Sequence, residues 1–173
     1  MSGEDYDIIG KLPPEFVREQ SLKVWMRNYL NLQVALIQQG VMTLDEIVAF
    51  ILEHSFNEEY GKRQKASAEA LGVTAGDIDS LMKFLYNGAK VVWGWKEPIV
   101  RKISEKEAEM TSSQCVLADV IAEYFGPGGL SVHTRCQKAF GISLQQINPN
   151  TEVKILNSIC GGAKSCDWKV TIK

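Results

Sequence analysis

The stretch that decides the fold lies at residues 154–173 and reads KILNSICGGAKSCDWKVTIK. After Gly161-Gly162, apolar side chains occupy every second position: Cys166, Trp168, Val170 and Ile172. This alternation is typical of an antiparallel strand with one buried face. The segment therefore predicts a β-hairpin with a tight Gly-Gly turn. Cys160 lies before the turn and Cys166 lies after it.

The rest of the chain predicts the partners of this hairpin. Four segments have the spacing or composition of helices: residues 15–39, 43–55, 57–71 and 74–92. Thr43 and Glu46 form a capping-box pattern, and Thr74 is the expected N-cap of the fourth helix. Two short strands and two helices follow: residues 99–104, 107–112, 113–125 and 130–140.

This order predicts an α+β fold. N-terminal helices precede a β-β-α-α-β-β unit with a four-stranded antiparallel sheet. We expect residues 1–12 to be a loose lead-in, residues 13–96 a helical region and residues 97–173 the α+β core. With only 173 residues, the last two parts are expected to form one compact domain.

The composition limits the classes of binding partner and the cellular compartment that we expect for this protein. The formal net charge is −2, and no run rich in Lys or Arg suggests binding to nucleic acid or to an anionic membrane. The acidic N-terminus lacks an apolar core, and no apolar run is long enough to span a bilayer. We therefore expect a cytoplasmic protein whose cysteines are free thiols or metal ligands rather than disulfides.

The four cysteines suggest a metal site. Cys160 and Cys166 flank a turn, and His133 and Cys136 are three residues apart, which places them on one face of a helix. Together they would complete a tetrahedral Cys3His site, for which zinc is the natural metal. The alternative is that these cysteines are small buried hydrophobic residues and that His133 faces solvent.

Cys115 is a candidate nucleophile. It lies near the expected start of a helix, where the backbone amides lower a thiol pKa, and Asp119 follows one turn later. We consider both residues candidates for a catalytic pair. The alternative is a cysteine near the helix cap that packs against the sheet.

Aromatic residues predict an apolar pocket between the helices and the sheet, with Trp93, Trp95 and Trp168 as its main lining. Trp25 and Tyr29 are further candidates, and core packing is the alternative for each. The chain has no P-loop, GxGxxG, GxSxG or HExxH motif, so nucleotide chemistry and ordinary serine hydrolysis have no support.

The C-terminal half, from about Pro98 to Lys173, resembles a known family. Its pattern is Cys115-Val-Leu-Ala-Asp119, Cys136, Asn148-Pro149, Gly161-Gly162 and Cys166-Asp167-Trp168. It resembles the L-2-amino-thiazoline-4-carboxylic acid hydrolase family and is more distantly similar to 4-vinyl reductase-type small-molecule-binding domains. The first resemblance implies ring-opening hydrolysis of a cyclic C–N bond. The second implies binding of a small apolar ligand, sometimes with a cysteine-bound metal.

Two functions therefore stay open. One is a hydrolase-like protein that acts on a small heterocyclic or amide-type C–N bond in a pocket between helices and sheet. The other is a non-enzymatic small-molecule-binding or sensor domain with a cysteine-bound metal. The first long helix has more apolar positions than one buried face needs, which predicts a homodimer through that helix.

Overall fold

A computed structural model describes residues 13–55, 58–73, 76–129 and 132–173. Within these ranges the chain forms six α-helices and four β-strands. The elements are α1 Pro14–Gln38, α2 Leu44–Ser55, α3 Glu58–Ala70, α4 Ile78–Val92, β1 Ile99–Ser104, β2 Glu107–Ser112, α5 Val116–Phe125, α6 His133–Gln145, β3 Thr151–Asn157 and β4 Cys166–Ile172. The predicted lead-in at residues 1–12 and the predicted cap at Thr74 lie outside the described residues.

The sheet confirms the predicted α+β fold. Its four strands pair antiparallel throughout in the order β1-β2-β4-β3. Trp168 lies in the middle of the sheet, opposite Met110 on one side and Ile155 on the other. Because alternate residues of β2 and β4 are buried, one face of the sheet forms the floor of the core.

Helices cover this buried face. α4 contacts β1, β2 and β4, α6 lies against β3, and α1 packs on α5. The core runs without a break from Met26 and Leu30 of α1, through Leu81 of α4, to Met110 and Trp168 of the sheet. No described helix is long and apolar enough to cross a membrane.

Hydrogen bonds between side chains and the backbone define where α2 and α4 begin. The capping box of α2 is confirmed, since the backbone N–H of Thr43 donates to Glu46 Oε2 at 2.7 Å and the Glu46 N–H donates to Thr43 Oγ1 at 3.3 Å. Asp77 caps α4 by accepting a hydrogen bond from the backbone N–H of Ser80 at 2.8 Å, so the predicted start of this helix at residue 74 was wrong and the helix begins at Ile78.

The predicted end of α6 at Gly141 was wrong. The helix continues to Gln145, and its last turns bury Leu144 and Ser143. A glycine inside a helix costs about 1 kcal/mol relative to alanine, whereas full burial of a leucine contributes about 1.5–3 kcal/mol. Core packing therefore overrides the glycine signal. The predicted start at residue 130 lies outside the described residues.

The connection between β3 and β4 also differs from the expected tight turn. β3 ends at Asn157, and a short 3-10 turn, Ile159–Gly161, follows before β4. Ser158 Oγ accepts from the backbone N–H of Gly161 at 3.1 Å, and Gly162 has a φ of +91°, which glycine adopts without strain. Cys160 therefore lies in this turn rather than on a strand.

Candidate functional site

Cys115 sits at the junction between the sheet and α5. β2 ends at Ser112, whose hydroxyl donates to the Gln114 carbonyl at 2.9 Å and so tightens the link to the helix. Cys115 is the N-cap residue of α5 and has extended backbone angles, but its side chain makes no capping hydrogen bond. Its sulfur instead points inward, with the Trp93 carbonyl oxygen 4.0 Å away.

Cys166 meets Cys115 across this junction. It begins β4 opposite Ser112, and its thiol lies close enough to that of Cys115 for each to shift the pKa of the other. The backbone N–H of Ile159 donates to Cys166 Sγ at 3.3 Å. The 3-10 turn and the strand register together hold this pair of thiols in contact.

The other two cysteines approach from opposite sides. Cys160 in the 3-10 turn has its thiol 3.7 Å from the hydroxyl of Ser158, and Cys136 lies in the first turn of α6. All four cysteines are buried and free.

All four cysteines line one small cavity of about 20 Å³, which we call the thiol cavity. Its other walls come from the segment between α4 and β1, from α5 and α6, and from the sheet and the turn before β4, and its lining includes Trp93, Trp95, Leu117, Ala118, His133, Ile155, Ser158 and Trp168. Every candidate site residue from the sequence therefore borders this cavity except Asp119, Trp25 and Tyr29. Asp119 is exposed on the outer side of α5.

The thiols differ in acidity. The hydrogen bond from Cys166 lowers the pKa of Cys115, with further help from the backbone amides of Ala118 and Leu117 and from the Trp95 indole, and burial opposes them. The same thiol contact and burial raise the pKa of Cys166, and burial raises the pKa of Cys136. Of Cys115, Cys136 and Cys166, Cys115 is therefore the thiol that most readily becomes a thiolate.

The donor set does not form a metal centre as it stands. Among the described residues, no group of three or more His, Cys, Asp or Glu side chains is arranged to hold a metal ion. His133 is exposed at the start of α6, although it borders the cavity. The chemical types suit zinc, but their present arrangement is that of a packed thiol cluster.

Aromatic rings form the wall behind the thiols. Trp168 packs edge-on against Trp95, with ring centres 5.4 Å apart, and against Phe140 at 4.4 Å. Phe140 in turn lies 5.5 Å from Trp93. The indole N–H groups of Trp93 and Trp168 are buried and have no hydrogen-bond partner among the described residues, so each could donate to an added acceptor.

On the far side of this wall lies a second and much larger cavity. It occupies about 420 Å³ between α1, α2, α3, α4 and α6, and we call it the helical pocket. Its apolar lining includes Met26, Ile51, Phe84, Leu85, Val92 and Phe140, and its polar lining includes Tyr29, Tyr60, Arg135 and Ser143. Trp93 and Leu117 line both cavities.

The structure divides the aromatic residues of the predicted pocket between the two cavities. The structure places Trp25, Tyr29 and Trp93 in its lining, while Trp95 and Trp168 border the thiol cavity. Sequence reasoning missed Arg135, Tyr60 and Gly88. Arg135 lines the pocket with Ala139 and Ser143, which follow it at intervals of four residues on α6, and this shared helix face was the available signal.

A surface cleft reaches Cys115 from outside. A depression of about 250 Å³ is bordered by Cys115, Asp119, Ser113 and Lys96. Cys115 thus lies between the thiol cavity and this cleft, although its residue is only 8% exposed. A comparison with protein-family models gives no match for this chain, and a comparison with curated proteins gives none either.

Proposed function

We propose that this protein is a small-molecule-binding sensor domain that holds its ligand in the helical pocket. The observation that carries the proposal is the difference in size between the two neighbouring cavities. A ligand site commonly has a volume of about 300–1,000 Å³, and the helical pocket, at about 420 Å³, lies in that range. The thiol cavity, at about 20 Å³, has room for little more than one water molecule.

The thiol cavity is the second part of this proposal. Trp93 and Leu117 separate it from the helical pocket, and Phe140 of the pocket packs edge-on against Trp168 of the cavity. A ligand that moves these rings would change the access and acidity of Cys115. The proposed output of the sensor is therefore a change in the state of the thiols.

The experiment is a thermal-shift screen of small apolar compounds, followed by thiol titration with and without a hit. The expected result is stabilisation by a subset of compounds and a changed reaction rate of Cys115. The Gly88→Leu variant fills the pocket, since a Cβ on Gly88 would meet only Phe140, at 3.9 Å. Hits that stabilise this variant as well as the natural protein would count against the proposal.

A hydrolase is the second candidate function, because Cys115 combines a lowered pKa with a surface cleft. In this mechanism the Cys115 sulfur attacks the carbon of a cyclic C–N bond, the C–N bond breaks, and the nitrogen takes a proton relayed by Asp119. The amides at the start of α5 would stabilise the developing negative charge. Water then releases the product and restores the thiol.

The test of this candidate is turnover of small heterocyclic amides by the natural protein and by Cys115→Ser. Turnover that vanishes in a folded Cys115→Ser protein would support it. Equal turnover in the two proteins would exclude Cys115 as the nucleophile.

Zinc remains a proposal for the sensor. Cys115, Cys136, Cys160, Cys166 and His133 supply suitable donor atoms around one cavity, but the thiols would have to reorient to bind an ion. Metal analysis of protein purified without added metal tests this. About one zinc per chain, lost in Cys166→Ala, would support a zinc sensor, whereas metal-free protein would leave a purely thiol-based one.

A homodimer through α1 is also proposed. Val24, Trp25 and Leu32 of α1 are 54%, 56% and 66% exposed, and Phe50 of α2 is 56% exposed. Leu32→Glu should lower the mass in solution if this surface pairs, and a natural protein that is monomeric at micromolar concentration would exclude it. We further propose the reducing cytoplasm as the compartment, because the sensor needs Cys115 and Cys166 as free thiols.

A further inference from the structure

Arg135 is the feature of the helical pocket that apolar ligand binding alone does not explain. It lies in the first turn of α6 and lines a pocket whose other described lining residues carry no charge. Arg135 is half-buried, and its guanidinium makes part-buried hydrogen bonds. Partial burial of a positive charge is costly unless something of opposite charge meets it.

The partners of Arg135 are all neutral. Its Nη1 donates to Gln33 Oε1 at 3.2 Å, its Nη2 donates to the hydroxyl of Tyr29, and the guanidinium lies 4.8 Å from the centre of the Tyr29 ring. It forms no ion pair with any described carboxylate, and the N-terminal end of α6 adds further positive potential. This end of the pocket therefore attracts an anion.

The shape of the pocket sets the rest of the ligand. Arg135, Ala139 and Ser143 line it at intervals of four residues along α6, so they form one stripe. At a rise of 1.5 Å per residue the stripe is about 12 Å long. Tyr60 is hydrogen-bonded to Ser143 at the other end, and apolar side chains such as Phe84 lie between.

We propose that the helical pocket binds an elongated aromatic or alicyclic monocarboxylate, with its carboxylate on Arg135 and its apolar body along α6. The inference rests on the proposed ligand-binding function and adds the chemical class of the ligand. Arg135 retains donors suited to a bidentate contact with a carboxylate. A second charge would have no partner in the lining, so dianions and cations are excluded.

The experiment compares acids with their amides at neutral pH by isothermal titration calorimetry. The probes are benzoate, 2-naphthoate and biphenyl-4-carboxylate, each against the corresponding carboxamide, which has nearly the same shape but no charge. We expect the two larger acids to bind about tenfold to a hundredfold more tightly than their amides, because a hydrogen bond to a charged group contributes about 1.5–3 kcal/mol.

Three variants test whether Arg135 is the residue that binds the carboxylate. Arg135→Gln should remove the preference for acid over amide, and Arg135→Lys should retain part of it. Lys138→Gln is the matched control, because Lys138 lies on the same helix but is exposed and outside the pocket lining. That control should leave both affinities unchanged, and Gly88→Leu should abolish the binding of acids and amides alike.

The outcomes separate this inference from the proposed function. If acids and amides bind equally in the natural protein and both are lost in Gly88→Leu, ligand binding stands and the carboxylate class is overturned. If the acid preference survives Arg135→Gln in a folded protein, the assignment to Arg135 is overturned. If none of the six compounds binds while a compound of the thermal-shift screen stabilises the natural protein but not Gly88→Leu, the carboxylate class is overturned and ligand binding stands.

Discussion

The thiol cavity and the helical pocket lie side by side, but one contains the reactive groups and the other contains the space for a ligand. The thiol cavity has four sulfur atoms, with one thiol of lowered pKa, yet its volume is only about 20 Å³. The helical pocket has about 420 Å³ and one positive charge, yet its described lining includes no cysteine, histidine or carboxylate. The reactive groups are thus separated from the space that could hold a reactant.

This separation favours sensing over catalysis. A nucleophile must come within about 3–3.5 Å of the reacting atom, and a ligand in the helical pocket would meet Trp93 and Leu117 before it met Cys115. Trp93 and Leu117, which line both cavities, can instead transmit a change in ring packing from the helical pocket to the thiols. A hydrolase would require its substrate to enter by the surface cleft, independently of the helical pocket.

The largest expected effect comes from removing Trp168, whose ring packs between the thiol cavity and Phe140 of the helical pocket. Trp168 is only 3% exposed and packs edge-on against Trp95 and Phe140. Trp168→Ala should destabilise the protein by about 3–5 kcal/mol, because a large cavity would replace the ring. Urea unfolding measures this, and binding in the helical pocket should weaken in the same variant.

Trp25→Ala is the control for that prediction. Trp25 is 56% exposed and stacks on Tyr29 at the edge of the helical pocket, with ring centres 5.4 Å apart. Its loss should cost less than about 1 kcal/mol. Similar costs for the two variants would mean that Trp168 is not the support that joins the two regions.

The second prediction concerns the thiol cavity and states how the free energy of unfolding depends on pH. Burial raises the pKa of Cys136 above its ordinary value of 9.0, so the folded protein keeps a proton that the unfolded chain releases above pH 9. Stability from this group is fully present below pH 9 and falls as pH rises, by about 1.4 kcal/mol per pH unit. Urea unfolding at pH 8, 9 and 10 with a reductant should therefore show a shallower decline in Cys136→Ala.

Cys115→Ala provides the opposite control. The folded pKa of Cys115 is lowered, so its thiolate contributes stability above the ordinary pKa and loses it as pH falls through the folded value. Its removal should not flatten the decline between pH 9 and pH 10. The same pH slope in the natural protein and Cys136→Ala would show that Cys136 is accessible to water rather than buried.

The fold was largely predictable because the decisive signals were local. The alternation in the last strand identified β4, and Thr43 with Glu46 identified the start of α2. The errors arose where tertiary packing prevailed. Burial of Leu144 carried α6 past Gly141, and the Ser158 hydroxyl organised a 3-10 turn where the glycines suggested a tight one.

The two cavities were predictable to different degrees. Cysteine and tryptophan are scarce and stand out, so the sequence named most of the lining of the thiol cavity. It could not predict the volume, which depends on how Trp95, Phe140 and Trp168 pack across elements far apart in the chain. Arg135 was missed because an arginine on a polar helix normally indicates a solvated face.

The smallest expected effect tests the helical pocket at Gly88. This residue lies inside α4 and lines the pocket, and a Cβ there would make an ordinary contact with Phe140 at 3.9 Å. Gly88→Ala should raise stability by about 0.5–1 kcal/mol, because alanine loses less conformational freedom than glycine in a helix. Thermal unfolding followed by circular dichroism measures the change.

Gly72→Ala is the matched control for the backbone argument. Gly72 follows α3 with a φ of +70°, which strains any residue with a Cβ, so this variant should lose stability by about 1 kcal/mol. Opposite signs at Gly88 and Gly72 would show that Gly88 is retained for the room it leaves in the pocket and not for its backbone. Destabilisation by Gly88→Ala would instead mean that α4 and α6 are already in close contact there, and that the helical pocket is narrower than a ligand requires.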